Sequence, residues 1–161
     1  MIFIVVGTQK FQFNRLLKEI DILKKNNKIS HEIFAQIGHS TYLPNTYEFV
    51  RFLSDNEFKD RVFKADLIIT HGGSAAITTA LKFNKKILAI PRLRMYKEHV
   101  DNHQVEIINK LKQEGLIETT RDVKDIENLI INIKHSTFGR FKSNTELFIK
   151  SIEDDINTLL I

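Results

Sequence analysis

Apolar positions along this chain follow two alternating rhythms. Ile2 to Val6 is an unbroken apolar run closed by Gly7, the pattern of a strand covered on both faces of a parallel sheet. Leu16, Leu17, Ile20 and Leu23 then recur at helical spacing with polar residues between them. Strand-like runs return at Glu32–Ile37, Tyr47–Leu53, Asp66–Thr70 and Lys86–Ile90, and Gly115-Leu116-Ile117 predicts a short last strand. Helical spacing predicts a short helix around Phe58, Val62 and Phe63. Longer helices are predicted over Ser74–Phe83 and Val100–Lys112 and through Ile126, Leu129, Ile130 and Ile133. Phe141, Phe148, Ile152, Ile156 and Leu159 mark a final amphipathic helix within residues 139–161. Strands alternating with helices predict an α/β fold, a Rossmann-like doubly wound parallel sheet, with residues 1–161 as one domain. Ligands in such sheets sit outside the carboxyl ends of the strands. The glycine turns at Gly7, Gly38 and Gly72-Gly73 fall on that edge.

Composition narrows the setting. A length of 161 residues suffices for a buried core, and 42% hydrophobic with 27% charged residues is ordinary for a globular domain. The net charge of +4 suits a phosphorylated ligand or an anionic membrane surface. Nucleic acid is disfavoured, because basic residues are scattered among acids. The absence of cysteine excludes disulfides and thiol chemistry and allows a reducing cytosol. No apolar run approaches the ~18 residues of a membrane span. The first residues read as a strand rather than a leader, so a cytoplasmic setting is expected.

Three stretches carry the candidate chemistry. Thr70-His71-Gly72-Gly73-Ser74-Ala75-Ala76 joins a strand to a helix. Glycines admit close backbone approach, and a helix N-terminus offers free amides and partial positive charge to an anion. Gly7-Thr8-Gln9 is a second turn on the same edge. The third runs from Pro91 to Gln104. Its Arg92–Lys97 part reads as a solvated basic loop, while Glu98–Gln104 holds carboxylates, imidazoles and amides suited to sugar hydroxyls. His99 and His103 stand at i, i+4 beside Glu98, yet no H-E-x-x-H order or third ligand accompanies them, so no metal is expected. Neither a Walker P-loop nor a dinucleotide G-x-G-x-x-G is present.

With these stretches placed, the chain resembles the C-terminal, donor-binding half of glycosyltransferase family 28, and within it the single-domain branch. That branch holds bacterial capsule and exopolysaccharide β-1,4-glycosyltransferase subunits. It also holds the catalytic subunit of the eukaryotic dolichol-linked UDP-N-acetylglucosamine transferase. Ile4-Val5-Val6-Gly7-Thr8-Gln9-Lys10-Phe11-Gln12-Phe13-Asn14-Arg15-Leu16 is similar to its V-G-T-x-x-F-x-F-D-R-L start. Ala65-Asp66-Leu67-Ile68-Ile69-Thr70-His71-Gly72-Gly73 resembles A-D-x-x-I-x-H-x-G, and Glu98-His99-Val100-Asp101-Asn102-His103-Gln104 resembles E-H-V-x-x-H-Q.

The resemblance implies one half of a GT-B enzyme. A membrane-attached partner subunit would supply the other half and hold the lipid-linked acceptor. Gly7, Thr8 and Gln9, with His71, Gly72, Gly73 and Ser74, would bind the donor diphosphate. Asp101, His103 and Gln104 would contact the donor sugar, and Phe52 and Leu53 would pack on the base. No metal or other cofactor is implied beyond the UDP-sugar substrate. The activity implied is inverting transfer of a hexose, galactose through a β-1,4 link, to a polyprenyl-diphosphate-linked sugar in capsule or exopolysaccharide synthesis. The general base is expected from the partner, and the chain is expected at the inner face of the membrane through that partner. One position departs from the family: Thr79 stands where a glutamate usually holds the ribose hydroxyls. That departure keeps a non-catalytic nucleotide-sugar-binding or scaffolding subunit open as the alternative.

Overall fold

The order of strands along the sheet sets where the chain can hold a ligand. In the computed structural model, residues 1–101 and 103–141 are described, apart from the His103 side chain. They build β1 (Ile2–Val5), α1 (Asn14–Lys25), β2 (Ile33–Gln36), β3 (Glu48–Val50), α2 (Asp55–Lys64) and β4 (Leu67–Thr70). α3 (Ser74–Lys82), β5 (Lys86–Ala89), α4 (His103–Gln113), β6 (Glu118–Thr119) and α5 (Ile126–Ile133) follow. The six strands run in the order β3-β2-β1-β4-β5-β6, and every neighbouring pair is parallel. This is a Rossmann-like doubly wound sheet, and its order reverses direction between β1 and β4.

Alternation along β1 divides the core. Ile2, Ile4 and Val6 face a layer formed by Leu16, Leu17 and Ile20 of α1 and Ile126, Ile130 and Ile133 of α5. Phe3 and Val5 face the other layer, with Val62 of α2, Ile77 and Ala80 of α3 and Ile108 of α4. Both faces of the central strands are thereby dry, which is why they read as continuous apolar runs. α2 begins with a reciprocal capping box: Ser54 Oγ accepts from Glu57 N, and the Glu57 carboxylate accepts from Ser54 N at 2.9 Å.

Several boundaries differ from the sequence reading. The last strand is at Glu118–Thr119, because Gly115 (φ +68°) instead terminates α4 as its left-handed cap, with Leu116 N donating to Leu111 O. β3 keeps only Glu48–Val50, an edge strand paired on one side. α4 starts at His103, and Val100 is 65% exposed rather than on a helix face. Residues 139–141 are not helical, and the rest of the expected C-terminal helix lies outside the described residues. Among the described residues no helix is long and apolar enough to cross a membrane.

Candidate functional site

At the switch point, the carboxyl ends of β1 and β4 open into a cleft of about 410 Å³. Gly7, Thr8 and Gln9 line one side; His71, Gly73, Ser74 and Thr79 line another. Leu53 and Gln104 also reach it. Most positions singled out in the sequence thus meet in one cavity.

His71 is the centre of this geometry. Its ring is buried, and Nδ1 lies 3.2 Å from Val5 O. A carbonyl only accepts, so Nδ1 carries the proton and Nε2 is left as an acceptor. Burial pushes the imidazole down to about 4, with the nearby Arg92 guanidinium adding to the shift. His71 is therefore neutral at physiological pH. A Cβ at Gly7 would stand 2.6 Å from the His71 ring, and one at Gly73 would stand 2.5 Å from Nε2. The two glycines flank the ring because any side chain there would collide with it.

α3 starts directly after Gly73. Its first intrahelical bond runs from Ile77 N to Gly73 O, so the Ser74, Ala75 and Ala76 amides precede any helical partner. No acidic side chain sits in that first turn. Free amides and the helix dipole together favour a bound anion. Farther along, Thr79 donates its hydroxyl to Ala75 O at 2.9 Å, turning it back into its own helix.

The opposite wall was not foreseen. Gln36, Asp55 and Phe58 also line the cleft. Gln36 Oε1 accepts from Leu53 N at 3.2 Å, which leaves its amide NH2 for the cavity. A lone amide inside the apolar run Ile33-Phe34-Ala35-Gln36-Ile37 was the available signal. Gln104 is held likewise, its Oε1 accepting from Arg92 N at 3.2 Å.

Other expected residues lie elsewhere. Gly72 turns toward α4, where a Cβ would collide with Ile108. Phe52 does not line the cleft: it is 46% exposed and meets the His39 ring edge-on at 5.1 Å. Asp101 sits outside the cleft lining, with Oδ1 3.0 Å from His99 Nδ1. His99 Nε2 in turn approaches Gln9 Oε1 at 3.2 Å, which ties this loop to the cleft wall. The His103 side chain lies outside the described residues.

The stretch read as a solvated basic loop is partly interior. Arg92 is 0% exposed and donates through Nη2 to Val6 O and to Phe11 O. Glu98 is also 0% exposed; it forms a two-pronged pair with Arg15 at 2.9 and 3.0 Å and accepts from Leu93 N. These contacts fasten the Gly7–Phe11 turn to the segment after β5. An arginine placed directly after an apolar strand and Pro91 was the signal for this interior role.

Known proteins resemble this chain in sequence and in fold. The UDP-N-acetylglucosamine transferase subunit ALG13 of Homo sapiens is 26% identical over 121 residues, covering 71% of this chain and 10% of that protein. The Mus musculus protein of the same name is 24% identical over 125 residues, covering 70% and 10%. The chain thus spans about 10% of the length of these curated relatives. Among solved structures, the glycotransferase of kitacinnamycin aligns with a TM-score of 0.63 at 14% identity, over 82% of this chain and 34% of that one. MurG of Acinetobacter baumannii aligns with a TM-score of 0.58 at 18% identity, over 82% and 40%. These likenesses give the fold, the Rossmann-like doubly wound domain that these larger GT-B chains also contain. Residues 1–158 match the family model of the glycosyltransferase family 28 C-terminal domain, and the chain belongs to that family.

Proposed function

We propose that this chain is the donor-binding subunit of a glycosyltransferase and takes a UDP-sugar in the cleft between β1 and β4. The observation that carries this reading is the open N-terminus of α3 beside Gly7–Gln9 and neutral His71. The diphosphate lies over the Ser74–Ala76 amides, which stabilise it as leaving group without a metal. Leu53 and Phe58 offer an apolar wall to the base, while the Gln36 and Gln104 amides offer donors to polar edges of the ligand. Asp101 and His103 are proposed to reach the sugar.

The hexose passes with inversion to a polyprenyl-diphosphate-linked sugar held by a membrane-attached partner subunit, which supplies the general base. Galactose transfer through a β-1,4 link in capsule or exopolysaccharide synthesis is the specific activity proposed. The name of the ALG13 relatives makes UDP-N-acetylglucosamine the donor to test beside UDP-galactose. The chain works in the cytoplasm at the membrane through that partner.

Thr79 favours a second reading, a nucleotide-sugar-binding subunit without turnover, because its hydroxyl is already engaged by Ala75 O. Calorimetric titration with UDP, UDP-galactose, UDP-glucose and UDP-N-acetylglucosamine is the first test. Label transfer with the partner and lipid-linked acceptor is the second. Binding with turnover supports the enzyme; binding without turnover supports the second reading; no binding to any donor sinks both.

A further inference from the structure

Beside the cleft, on the α1 side of the sheet, a short 3-10 turn at Arg94–Tyr96 projects from the protein. Met95 is 76% exposed and Tyr96 47%, and Arg94 and Lys97 are exposed on either side of them. The projection is fixed from below. Lys97 N donates to Arg94 O at 2.9 Å, Gln12 Nε2 reaches Tyr96 O at 3.3 Å, and the Arg15 guanidinium lies 4.7 Å from the Tyr96 ring centre. A groove of about 470 Å³ separates Met95 and Tyr96 from Arg121 and Lys124. Apolar tips are therefore held out rigidly, with cations on both banks of the groove.

We propose that this turn, with Arg121 and Lys124 opposite, seats the chain directly on the headgroups of an anionic phospholipid membrane. A thioether and a phenol enter the interface, where a Tyr ring keeps its hydroxyl wet. Basic side chains beside them meet acidic headgroups, and their apolar stems add contact. The commitment to lipid rests on charge complementarity at the tip itself. Exposed Arg94 and Lys97 flank Met95 and Tyr96, and Arg121 faces them across the groove, against Asp122 as the one lining acid among the described residues. Arg15, by contrast, is held by Glu98, and Lys124 is paired with Glu19 at 2.8 Å. Position agrees as well, since His99 and Gln9 join this loop to the cleft wall. Seated this way, the cleft opens next to the membrane surface. The seat does not depend on what the cleft binds.

A second basic-aromatic surface lies at the opposite edge of the sheet, where Phe63 and Phe83 meet at 6.2 Å and Lys85 stands 5.5 Å from the Phe63 ring. One flat membrane cannot touch both edges, so the two surfaces provide an internal control.

The test is flotation of the full chain with vesicles of phosphatidylcholine alone or mixed with phosphatidylglycerol. Binding to the mixed vesicles only, weakened by added salt, is expected. Met95→Glu should weaken it by about tenfold or more, from lost apolar burial. Arg121→Gln should weaken it by about fivefold, the value of one basic residue near an anionic surface. Phe63→Ser should leave it unchanged. Circular dichroism checks that each variant is folded, and UDP calorimetry reads the cleft separately, so either property can fail alone. Equal binding to both vesicle types, or none, overturns the proposal. So does vesicle binding that survives Met95→Glu, or that is lost in Phe63→Ser. A Met95→Glu chain that binds vesicles normally but no longer joins its partner would assign the turn to a protein interface.

Discussion

At the scale of single residues, Thr79 and His71 set the properties of the cleft. Thr79 lines it, but its hydroxyl is turned back to Ala75 O. A carboxylate there would accept from two ligand hydroxyls in charge-assisted bonds. Thr79→Glu is therefore expected to tighten UDP binding by about tenfold, as one such bond contributes roughly 1.5 kcal/mol. Calorimetry on the two chains measures it, and unchanged affinity would place the ribose elsewhere. His71 controls the acid response. Its imidazole falls from the ordinary 6.5 to about 4 through burial and the Arg92 charge. Between those values the unfolded chain binds more protons than the folded one. Stability present above the unfolded value is thus lost as pH falls through that window, by something of the order of 3 kcal/mol. Urea midpoints at pH ~7 and ~4.5 should show this slope, and His71→Asn should flatten it.

At the scale of elements, the loop after β5 is an interior strut as much as a rim. Glu98 holds Arg15 from α1 and the Leu93 amide together. Glu98→Ala leaves Arg15 without its carboxylate and Leu93 N without its acceptor. The expected loss is about 3 kcal/mol, the low end for a broken buried pair because Arg15 keeps some solvent. Thermal denaturation checks it, and Glu98→Gln, which can still accept from Leu93 N, should lose less. Here the sequence was only half legible. Strands and helices could be read from Ile2–Val6, Ile20 or Ile130 because burial imposes a period on them. The turn at Gly7–Gln9 and the helix start at Ser74 were legible because glycine and small residues mark close approach. Arg92 and Glu98 were not read as interior, since a charge alone does not say whether its partner is water or Phe11 O. The placement of Arg92 directly behind an apolar strand and Pro91 was the one sign, and Glu98 carried none. Gln36 was missed for the related reason that an amide at a strand end looks like a solvated boundary. Phe52 and Leu53 were both expected at the base, but they lie past the end of β3 in the segment leading to α2, where only Leu53 lines the cleft and Phe52 turns outward.

At the scale of the whole molecule, the reversal of strand order creates the cleft, and the two dry layers hold its floor. β1 and β4 are each hydrogen-bonded on both sides, whereas β3 and β6 are short edges. Native-state hydrogen exchange should be slowest for the Phe3–Val5 and Ile68–Thr70 amides and faster for those of β3 and β6. Faster exchange in β1 than in β3 would contradict this core. The site is therefore borne on the stiffest strands while its rim loops, including the Met95 turn, face outward.

The packing of His71 between Gly7 and Gly73 also limits the order in which this site can change over generations. Gly73→Ala alone sets a methyl against the ring. The same step after His71→Ala meets an empty space. The pair should therefore show a coupling of about 1–3 kcal/mol in a double-mutant cycle by urea denaturation. A lineage that keeps the histidine is held to Gly73, whereas one that loses the ring first is released there; Gly7, at φ +84°, stays a glycine position in both.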